Sequence, residues 1–374
     1  MHPRAGRLRR FRRSGNWKGR RRAGRRRTGG AAFGRQTASA PASVSASLLL
    51  RAFEAGRQAA LQPGEAADAD PLRQANRCWN DWRLANGGAA WKWNVYHQVA
   101  AKFVAGFESG KGVSLRNPVL APTKKTIGAV VTAMNEEKAI PGVLEQLARL
   151  PLNELVVVVN GSTDHTFWNA RRGIAGGKAV IVHHVRPLGH DVGRSVGAKL
   201  LRSDIALFLD GDFPVYAEHL VPFIDAVDKG TDVALNDITP YISAFSGRDP
   251  VTIVKEMLNR AMGRADLAAN SMTAVPHALS RKAIETIGCT NLMVPPKAQA
   301  IAVRDGLKVS AAMSVDVISK NRVRDKNTGI ANPVAELIIG DHLEALGLLI
   351  RKDGARLHAA DGIRNRSALG RMSS

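Results

Sequence analysis

The feature of the sequence that points most clearly to chemistry is a pair of aspartates behind an apolar run. Asp210 and Asp212 flank Gly211 directly after residues 205–209, all of which are apolar. A short apolar run bounded by turn residues is typical of a strand buried on both faces. Two carboxylates in the following loop supply the oxygen ligands that Mg²⁺ and Mn²⁺ prefer. Taken alone, such a pair is more often a solvated turn than a metal site.

Two further polar segments each follow a predicted strand. Residues 132–137 end a strand predicted over 127–133 and lead directly into a helix, whose acidic first turn would complement the helix dipole. Residues 160–166 follow a second predicted strand over 155–159 and contain a glycine for a tight turn and side chains that can cap a helix. Either segment alone is an ordinary loop before a helix.

The elements that must position these segments are strands that alternate with helices. Apolar runs over 127–133, 155–159, 180–182 and 205–209 predict strands, and helical periodicity separates them. Right-handed crossovers between such strands give an α/β fold with a doubly wound, mostly parallel sheet flanked by helices. Ligands of these sheets bind at the carboxyl ends of the strands, where all three polar segments lie. We therefore expect the segments to form one site.

The combination of these segments resembles glycosyltransferase family 2, the nucleotide-sugar transferases of the GT-A fold. The resemblance is carried, in this order, by Asn135-Glu136-Glu137, Asn160-Gly161-Ser162-Thr163-Asp164 and Asp210-Gly211-Asp212. Arg194 falls where the family commonly has an Arg-Asn pair in the helix before its acidic motif. The match covers residues 127–213 well and the rest of the chain only loosely.

The resemblance implies a role for each motif residue. Asp210 and Asp212 are the expected catalytic and metal-binding acids, and the cofactor is Mn²⁺ or Mg²⁺ that bridges the diphosphate of a nucleotide-sugar donor. Breaking the bond between sugar and phosphate builds negative charge on the leaving diphosphate, which a cation and a nearby Arg or Lys stabilise. The expected substrate-binding residues are Thr132, Ala133, Asn135, Glu136, Asn160, Asp164 and Arg194. Among them Glu136 is expected at the ribose and Asn160 at the base of a UDP moiety.

Two departures from the family pattern leave alternatives open. Residues 159–160 are Val and Asn where the family often carries two acids, so a base other than uracil is an alternative. Residues 292–299 contain no acid where many inverting members have a catalytic base. Asp266, Asp305 and Asp316 are the available carboxylates, and each is expected to be a surface or turn residue. Both inverting and retaining mechanisms therefore stay open.

His342 is a candidate third metal ligand, because the resemblance implies that a ligand late in the chain completes the metal site. It follows an apolar run and can offer an imidazole to the cation. An equally good interpretation is that His342 begins a helix with Asp341 as its cap. Asn321 is a further position for a ligand. Residues 276–282 are predicted to begin a helix in the second half of the chain.

The charge of the chain is concentrated at its ends. Lys and Arg number 54 against 32 Asp and Glu, which gives a net charge of +22. Residues 1–35 hold 14 basic residues and no acid, and residues 351–374 hold six basic residues and two acids. The basicity is thus mostly a property of the tails, and the remainder of the chain is nearly balanced.

This distribution and the motifs define the expected domains. Residues 1–42 are predicted to be a disordered, Arg-rich arm, residues 43–115 a helical segment, and residues 351–374 a basic tail. The GT-A domain is expected over 116–350. Its donor half is predicted over 126–215 and its acceptor half over 216–350.

The helical segment is rich in aromatic residues. A helix is predicted over 43–61, and a second begins at Pro71 with Asp70 as its cap. The residues that recur at helical spacing are Tyr96, Val99, Phe103 and Phe107, and the tryptophans nearby are Trp79, Trp82, Trp91 and Trp93. A sugar-stacking or lipid-facing surface is one interpretation, and a helical hairpin that packs on the main domain is the favoured one.

Composition also bears on location. The two cysteines are far apart, which favours a reducing compartment, and the sequence contains neither an apolar run long enough to span a membrane nor the apolar part of a signal peptide. We expect a cytoplasmic protein that contacts the inner face of the membrane through residues 1–35. Its acceptor is expected to be small, lipid-linked or a cell-envelope glycan.

An alternative function uses the arm rather than the sheet. An Arg-rich segment binds the phosphates of nucleic acid or anionic lipid with little selectivity, so the chain could be a polyanion-binding protein with a degenerate transferase domain. Nucleotidyl transfer is disfavoured, because residues 134–137 replace the Gly-rich basic phosphate loop that follows the first strand in such enzymes.

Overall fold

The computed structural model describes residues 44–62, 70–174, 179–318, 332–362 and 364. The predicted arm over 1–42, Asn321 and the end of the basic tail lie outside the described residues. Within these ranges no helix has the length and apolar character needed to cross a membrane.

Three helices precede the sheet: α1 (Ala46–Leu61), α2 (Pro71–Ala85) and α3 (Trp93–Lys111). The N-terminus of α2 is capped as its sequence predicts, because the Asp70 side chain accepts a hydrogen bond from the Leu72 amide. The four residues at helical spacing on α3 are all buried.

Helices α1 and α3 approach each other through glycines. A Cβ added to Gly56 would lie 1.9 Å from the Phe103 carbonyl oxygen, and one added to Gly106 would lie 1.9 Å from the Phe53 oxygen. Both contacts are far inside van der Waals distance. The two backbones therefore touch at positions where only glycine fits.

The tryptophans of this region form part of the core. Trp79 is completely buried, and its indole nitrogen donates to the Tyr96 hydroxyl at 3.0 Å. Its ring centroid lies 5.7 Å from that of Trp82, 6.1 Å from that of Trp91 and 5.4 Å from that of Phe103. These contacts agree with the hairpin interpretation, since the central ring is not available to a sugar or a lipid.

A seven-stranded sheet follows, in the spatial order β3-β2-β1-β4-β6-β5-β7. The strands are β1 (Ile127–Ala133), β2 (Glu154–Asn160), β3 (Ala179–His184), β4 (Ile205–Asp210), β5 (Val233–Asn236), β6 (His277–Ser280) and β7 (Val309–Met313). Strand β6 is antiparallel to both of its neighbours, and the other neighbouring pairs are parallel. This arrangement confirms the predicted mostly parallel α/β sheet.

Helices cover the sheet. They are α4 (Ile140–Ala148), α5 (Thr166–Gly173), α6 (Val192–Leu200), α7 (Ala217–Asp228), α8 (Pro250–Ala261), α9 (Arg281–Ile287), α10 (Pro295–Arg304) and α11 (Pro333–Asp353). Helix α6 lies very close to β1, because a Cβ on Gly197 would stand 2.2 Å from Cγ1 of Val130. That close approach brings the N-terminal turn of α6 to the carboxyl end of the sheet.

Two local predictions are wrong. Residues 277–280 form β6 rather than the beginning of a helix, because His277, Ala278 and Leu279 are buried between β4 and β5. Ser280 then caps α9 by accepting from the Ala283 amide. Helix α4 does not begin directly after Glu137 either: it starts at Ile140, and its first turn contains no acid.

Candidate active site

The loops after β1 and β2 are joined by hydrogen bonds at the carboxyl edge of the sheet. The Asn135 amide donates to Ser162 Oγ at 3.1 Å, and the Thr163 amide donates to Asn135 Oδ1 at 2.8 Å. Asn135 adopts a left-handed conformation with a φ of 59°, which asparagine tolerates better than most residues. The side chain predicted to touch the donor thus also fixes the shape of this edge.

Asp164 and Thr166 make the second set of contacts between these loops. The Glu137 amide donates to Asp164 Oδ2 at 3.1 Å, and the Glu136 amide donates to Thr166 Oγ1 at 2.7 Å. Burial opposes ionisation of Asp164, but hydrogen bonds from Thr166 and Glu137 outweigh it and hold the pKa of this carboxyl below its usual value. The Glu136 side chain is itself buried.

Asn160, at the end of β2, forms hydrogen bonds with the segment between β3 and α6. Its Nδ2 donates to the Gly189 carbonyl at 2.8 Å, and its Oδ1 accepts from the Leu188 amide at 2.7 Å. These contacts place Asn160 among the residues that shape the edge. Its predicted contact with a nucleotide base stays a prediction.

Asp210 is the meeting point of β1, β4 and α6. In the sheet register it stands beside Thr132, whose hydroxyl donates to Asp210 Oδ1 at 2.9 Å. Nη2 of Arg194 lies 3.5 Å from Asp210 Oδ2. Asp212, two residues farther along the loop, is half-buried. The structure thus brings Thr132, Arg194 and Asp210 together, and their roles toward a substrate stay predictions.

Arg194 is a buried cation held by two carboxylates. Its Nε lies 3.1 Å from Asp191 Oδ1, and its Nη1 donates to the Met272 carbonyl at 3.0 Å. Burial works to lower the pKa of Arg194, but the charges of Asp191 and Asp210 outweigh it and raise this pKa above its usual value. Burial likewise opposes ionisation of Asp191, yet Arg194 lowers its pKa overall.

Sequence reasoning missed Asp191 and the charges around it. Asp191 has a left-handed φ of 60° and precedes α6, so an acid just before the Gly-rich helix was the available signal. A hydrogen bond to Asp191 raises the pKa of His190. Across the site, burial together with the charges of Asp191 and Glu344 raises the pKa of Asp341 to about 6.

His342 does not begin a helix, since it lies inside α11, which is capped by Asn332. The imidazole is completely buried, and its Nδ1 lies 2.6 Å from the Ile338 carbonyl. Burial lowers the pKa of His342 to about 4, so the ring is neutral at pH 7, as a metal ligand must be. Its Nε2 has no hydrogen-bond partner among the residues that the structure describes, and its role as a ligand stays a prediction.

The chemistry of the acidic loop fits a divalent cation. Asp210 and Asp212 offer carboxylate oxygens beside a partly open edge, which suits Mg²⁺ or Mn²⁺. Among the described residues no group of three or more His, Cys, Asp or Glu side chains is arranged to hold a metal. A cation here would therefore take other ligands from water and substrate phosphates, as Mg²⁺ usually does.

Of the three carboxylates that the sequence left as candidate bases, Asp316 accepts a hydrogen bond from the Ile318 amide at 3.2 Å, and the other two form ion pairs. Asp266 pairs with Arg264 at 2.7 Å and is exposed. Asp305 pairs with the neighbouring Arg304 at 2.9 Å. Both agree with the expectation of surface or turn residues.

A family comparison identifies the sheet and its motifs. Residues 129–288 match the family model described as glycosyl transferase family 2. These residues form a glycosyl transferase family 2 domain. The glycosyltransferase domain spans β1 through α9 and includes every motif residue named above except His342, which lies on α11. No curated protein matches the chain.

The chain is similar to solved structures of an enzyme from Mycobacterium tuberculosis. One is glucosyl-3-phosphoglycerate synthase in complex with Mn²⁺, UDP and phosphoglyceric acid, at 18% identity and a TM-score of 0.43, covering 64% of this chain and 80% of that chain. Another is the same enzyme with Mg²⁺ and UDP, at 18% identity and a TM-score of 0.42, covering 64% and 81%.

Proposed function

We propose that this protein is a metal-dependent glycosyltransferase that moves a sugar from a nucleoside diphosphate donor, UDP-linked, to an acceptor. The observation that carries the proposal is the position of Asp210 and Asp212. Asp210 ends β4 and Asp212 lies in the loop that follows, both inside the matched residues 129–288. Asp210 stands beside Arg194, and the joined loops after β1 and β2 lie at the same edge of the sheet.

Binding of the donor would use the carboxyl edge of the sheet. Thr132, Ala133, Asn135 and Glu136 would line the nucleoside pocket, with Glu136 at the ribose and Asn160 at the base. The hydrogen bonds between the two loops support this role, because a pocket that is already shaped loses less conformational entropy when it binds.

The diphosphate would lie at the acidic loop. Asp210 and Asp212 would hold Mn²⁺ or Mg²⁺, and water and the substrate phosphates would supply the other ligands, because the described residues do not group His342 with these two acids. When bound, the cation neutralises charge on the leaving diphosphate. Arg194 remains charged and orients Asp210 through their 3.5 Å ion pair, which keeps that carboxylate aimed at the edge where charge develops.

The Asp212→Asn substitution tests the proposal. It removes the charge of a predicted metal ligand while the side chain keeps its size. With Mn²⁺ and a panel of nucleotide sugars, the parent should bind one donor and hydrolyse it slowly, and the variant should lose both activities, by about 10² or more if the cation supplies several kcal/mol. Calorimetry and release of the nucleoside diphosphate measure these effects.

Asp305→Asn provides the matched control, since it removes a carboxylate that pairs with Arg304 outside the candidate site. It should leave donor binding unchanged. Equal donor binding by the parent and by a folded Asp212→Asn protein would show that the metal assignment is wrong.

The acceptor and the location also belong to the proposal. We propose a small, lipid-linked or cell-envelope glycan acceptor, and a cytoplasmic protein that contacts the inner face of the membrane through residues 1–35. Removal of residues 1–35 should leave turnover of a soluble donor intact. Loss of the main activity on this deletion would favour the polyanion-binding alternative.

A further inference from the structure

A cavity lies away from the strand-end loops, where α2, α3 and α7 meet. Its volume is about 150 Å³, and its walls include Arg83, Trp91, Lys92, Trp93, Asp225 and Lys229. One water needs about 10–15 Å³ of such space. The cavity is therefore large enough for a polyatomic anion.

Arg83 is a buried cation in the wall of this cavity, and no carboxylate pairs with it among the described residues. Only 6% of its surface is exposed. Its guanidinium donates to three neutral oxygens, the Gly88 and Pro122 carbonyls and Asn80 Oδ1, at 3.2–3.3 Å. Its Nε has no hydrogen-bond partner within the described part of the chain. A buried charge is costly unless an opposite charge compensates it.

The acid in the cavity does not provide that compensation. Asp225 pairs with Lys229, whose Nζ lies 2.7 Å from Asp225 Oδ2. Arg83 and the exposed Lys92 are thus left as excess positive charge along the walls.

The N-terminus of α3 adds positive potential to the same place. The helix has 19 residues, its first turn contains no acid, and its N-cap residue Lys92 makes no side-chain capping hydrogen bond. The free amides and the helix dipole at such an end favour an anion. A lysine at the N-cap is unfavourable for the isolated helix, because a cation meets the positive end of the dipole. A bound anion would remove that conflict.

We propose that this cavity binds the phosphate group of a small molecule. Arg83, Lys92 and the first amides of α3 would surround the phosphate, and the indoles of Trp91 and Trp93 would form the walls beside it. Phosphate fits because it accepts several charge-assisted hydrogen bonds at once. The site shares none of the proposed donor-binding residues, so it does not depend on the proposed glycosyl transfer.

Calorimetric titration of the full chain with inorganic phosphate tests the site, and tryptophan fluorescence follows the same titration, because two indoles line the cavity. We expect binding of one phosphate with a change in emission. Lys92→Glu should weaken it by about tenfold or more, since the substitution reverses a charge at the helix end. Lys102→Glu is the control: it makes the same charge change on an exposed position of α3 outside the cavity and should leave the affinity unchanged.

Two further arms identify the source of the phosphate and separate this site from the donor site. A soluble sugar phosphate that competes with inorganic phosphate indicates a metabolite, and vesicles of phosphatidylglycerol that compete indicate a lipid headgroup. Either result supports the phosphate site if the Lys92→Glu substitution abolishes the competition while binding of the nucleotide-sugar donor stays intact. Absence of phosphate binding in the parent, or equal affinity in the Lys92→Glu and Lys102→Glu proteins, would overturn the proposal.

Discussion

At the scale of single residues, Arg194 connects the two parts of the candidate site. It reaches Asp191 at the start of its own helix, Asp210 at the end of β4 and the Met272 carbonyl in the second half of the chain. A planar guanidinium can bind partners in three directions at once. The ammonium group of lysine is instead a compact charge on a flexible stem.

Arg194→Lys should therefore be a costly substitution although it conserves the charge. We expect a loss of about 2–4 kcal/mol in the free energy of unfolding, because a buried carboxylate loses its partner, together with weaker donor binding. Urea denaturation and calorimetry measure the two effects. Arg202→Lys, at an exposed position near the end of the same helix, should change neither, and equal stabilities of the two variants would contradict this role.

At the scale of elements, the close contact between α1 and α3 depends on the absence of a side chain in glycine. The backbones meet at Gly56 and Gly106, where a methyl group would lie 1.9 Å from a carbonyl oxygen. Sequence periodicity predicted the buried face of α3 correctly but gave no information about how closely its partner helix approaches.

Gly106→Ala should separate the two helices and lower the free energy of unfolding by about 1–3 kcal/mol, in spite of the higher helix propensity of alanine. Gly340→Ala is the comparison, since Gly340 lies inside α11 with nothing within 4 Å of the added carbon. That substitution should be neutral or stabilise by up to about 1 kcal/mol. Thermal and urea unfolding measure the change in the free energy of unfolding for each variant. We expect a decrease for Gly106→Ala and no decrease for Gly340→Ala.

At the scale of the whole molecule, buried neutral histidines make stability depend on pH. Burial and the nearby charge of Arg194 lower the pKa of His277 to about 3, and its ring stacks on Phe208 with centroids 5.2 Å apart. In the unfolded chain the His277 imidazole binds a proton as the pH falls below about 6.5, whereas in the folded protein the imidazole stays neutral at this pH. The contribution of His277 is thus fully present above that pH and is lost as the pH falls toward 3.

We expect the free energy of unfolding to fall between pH 7 and pH 5, with about 2 kcal/mol of the fall due to His277. Urea denaturation at several pH values measures it. His277→Phe keeps an aromatic ring against Phe208 and removes the titrating group, so its curve should be flatter over this range whatever its absolute stability. An unchanged slope would assign the pH dependence to other groups.

The sequence by itself determined the first four strands, the order of the motifs and the types of residue at the strand ends. The predicted strand over 127–133 coincides with β1, because a run of apolar residues buried on both faces carries its signal locally. Asp210, Thr132 and Arg194 could be grouped because parallel strands end at one edge of a sheet.

Only the tertiary structure decided contacts between segments distant in the chain. Residues 277–280 became a strand because two strands bury them, an environment that no local pattern encodes. The contacts of Arg194 with Asp210 and with the Met272 carbonyl, and the cavity beside Arg83, likewise depend on elements far apart in sequence. The pKa values of such groups depend on burial and on neighbouring charges. The packed molecule sets both, and the order of the residues alone does not.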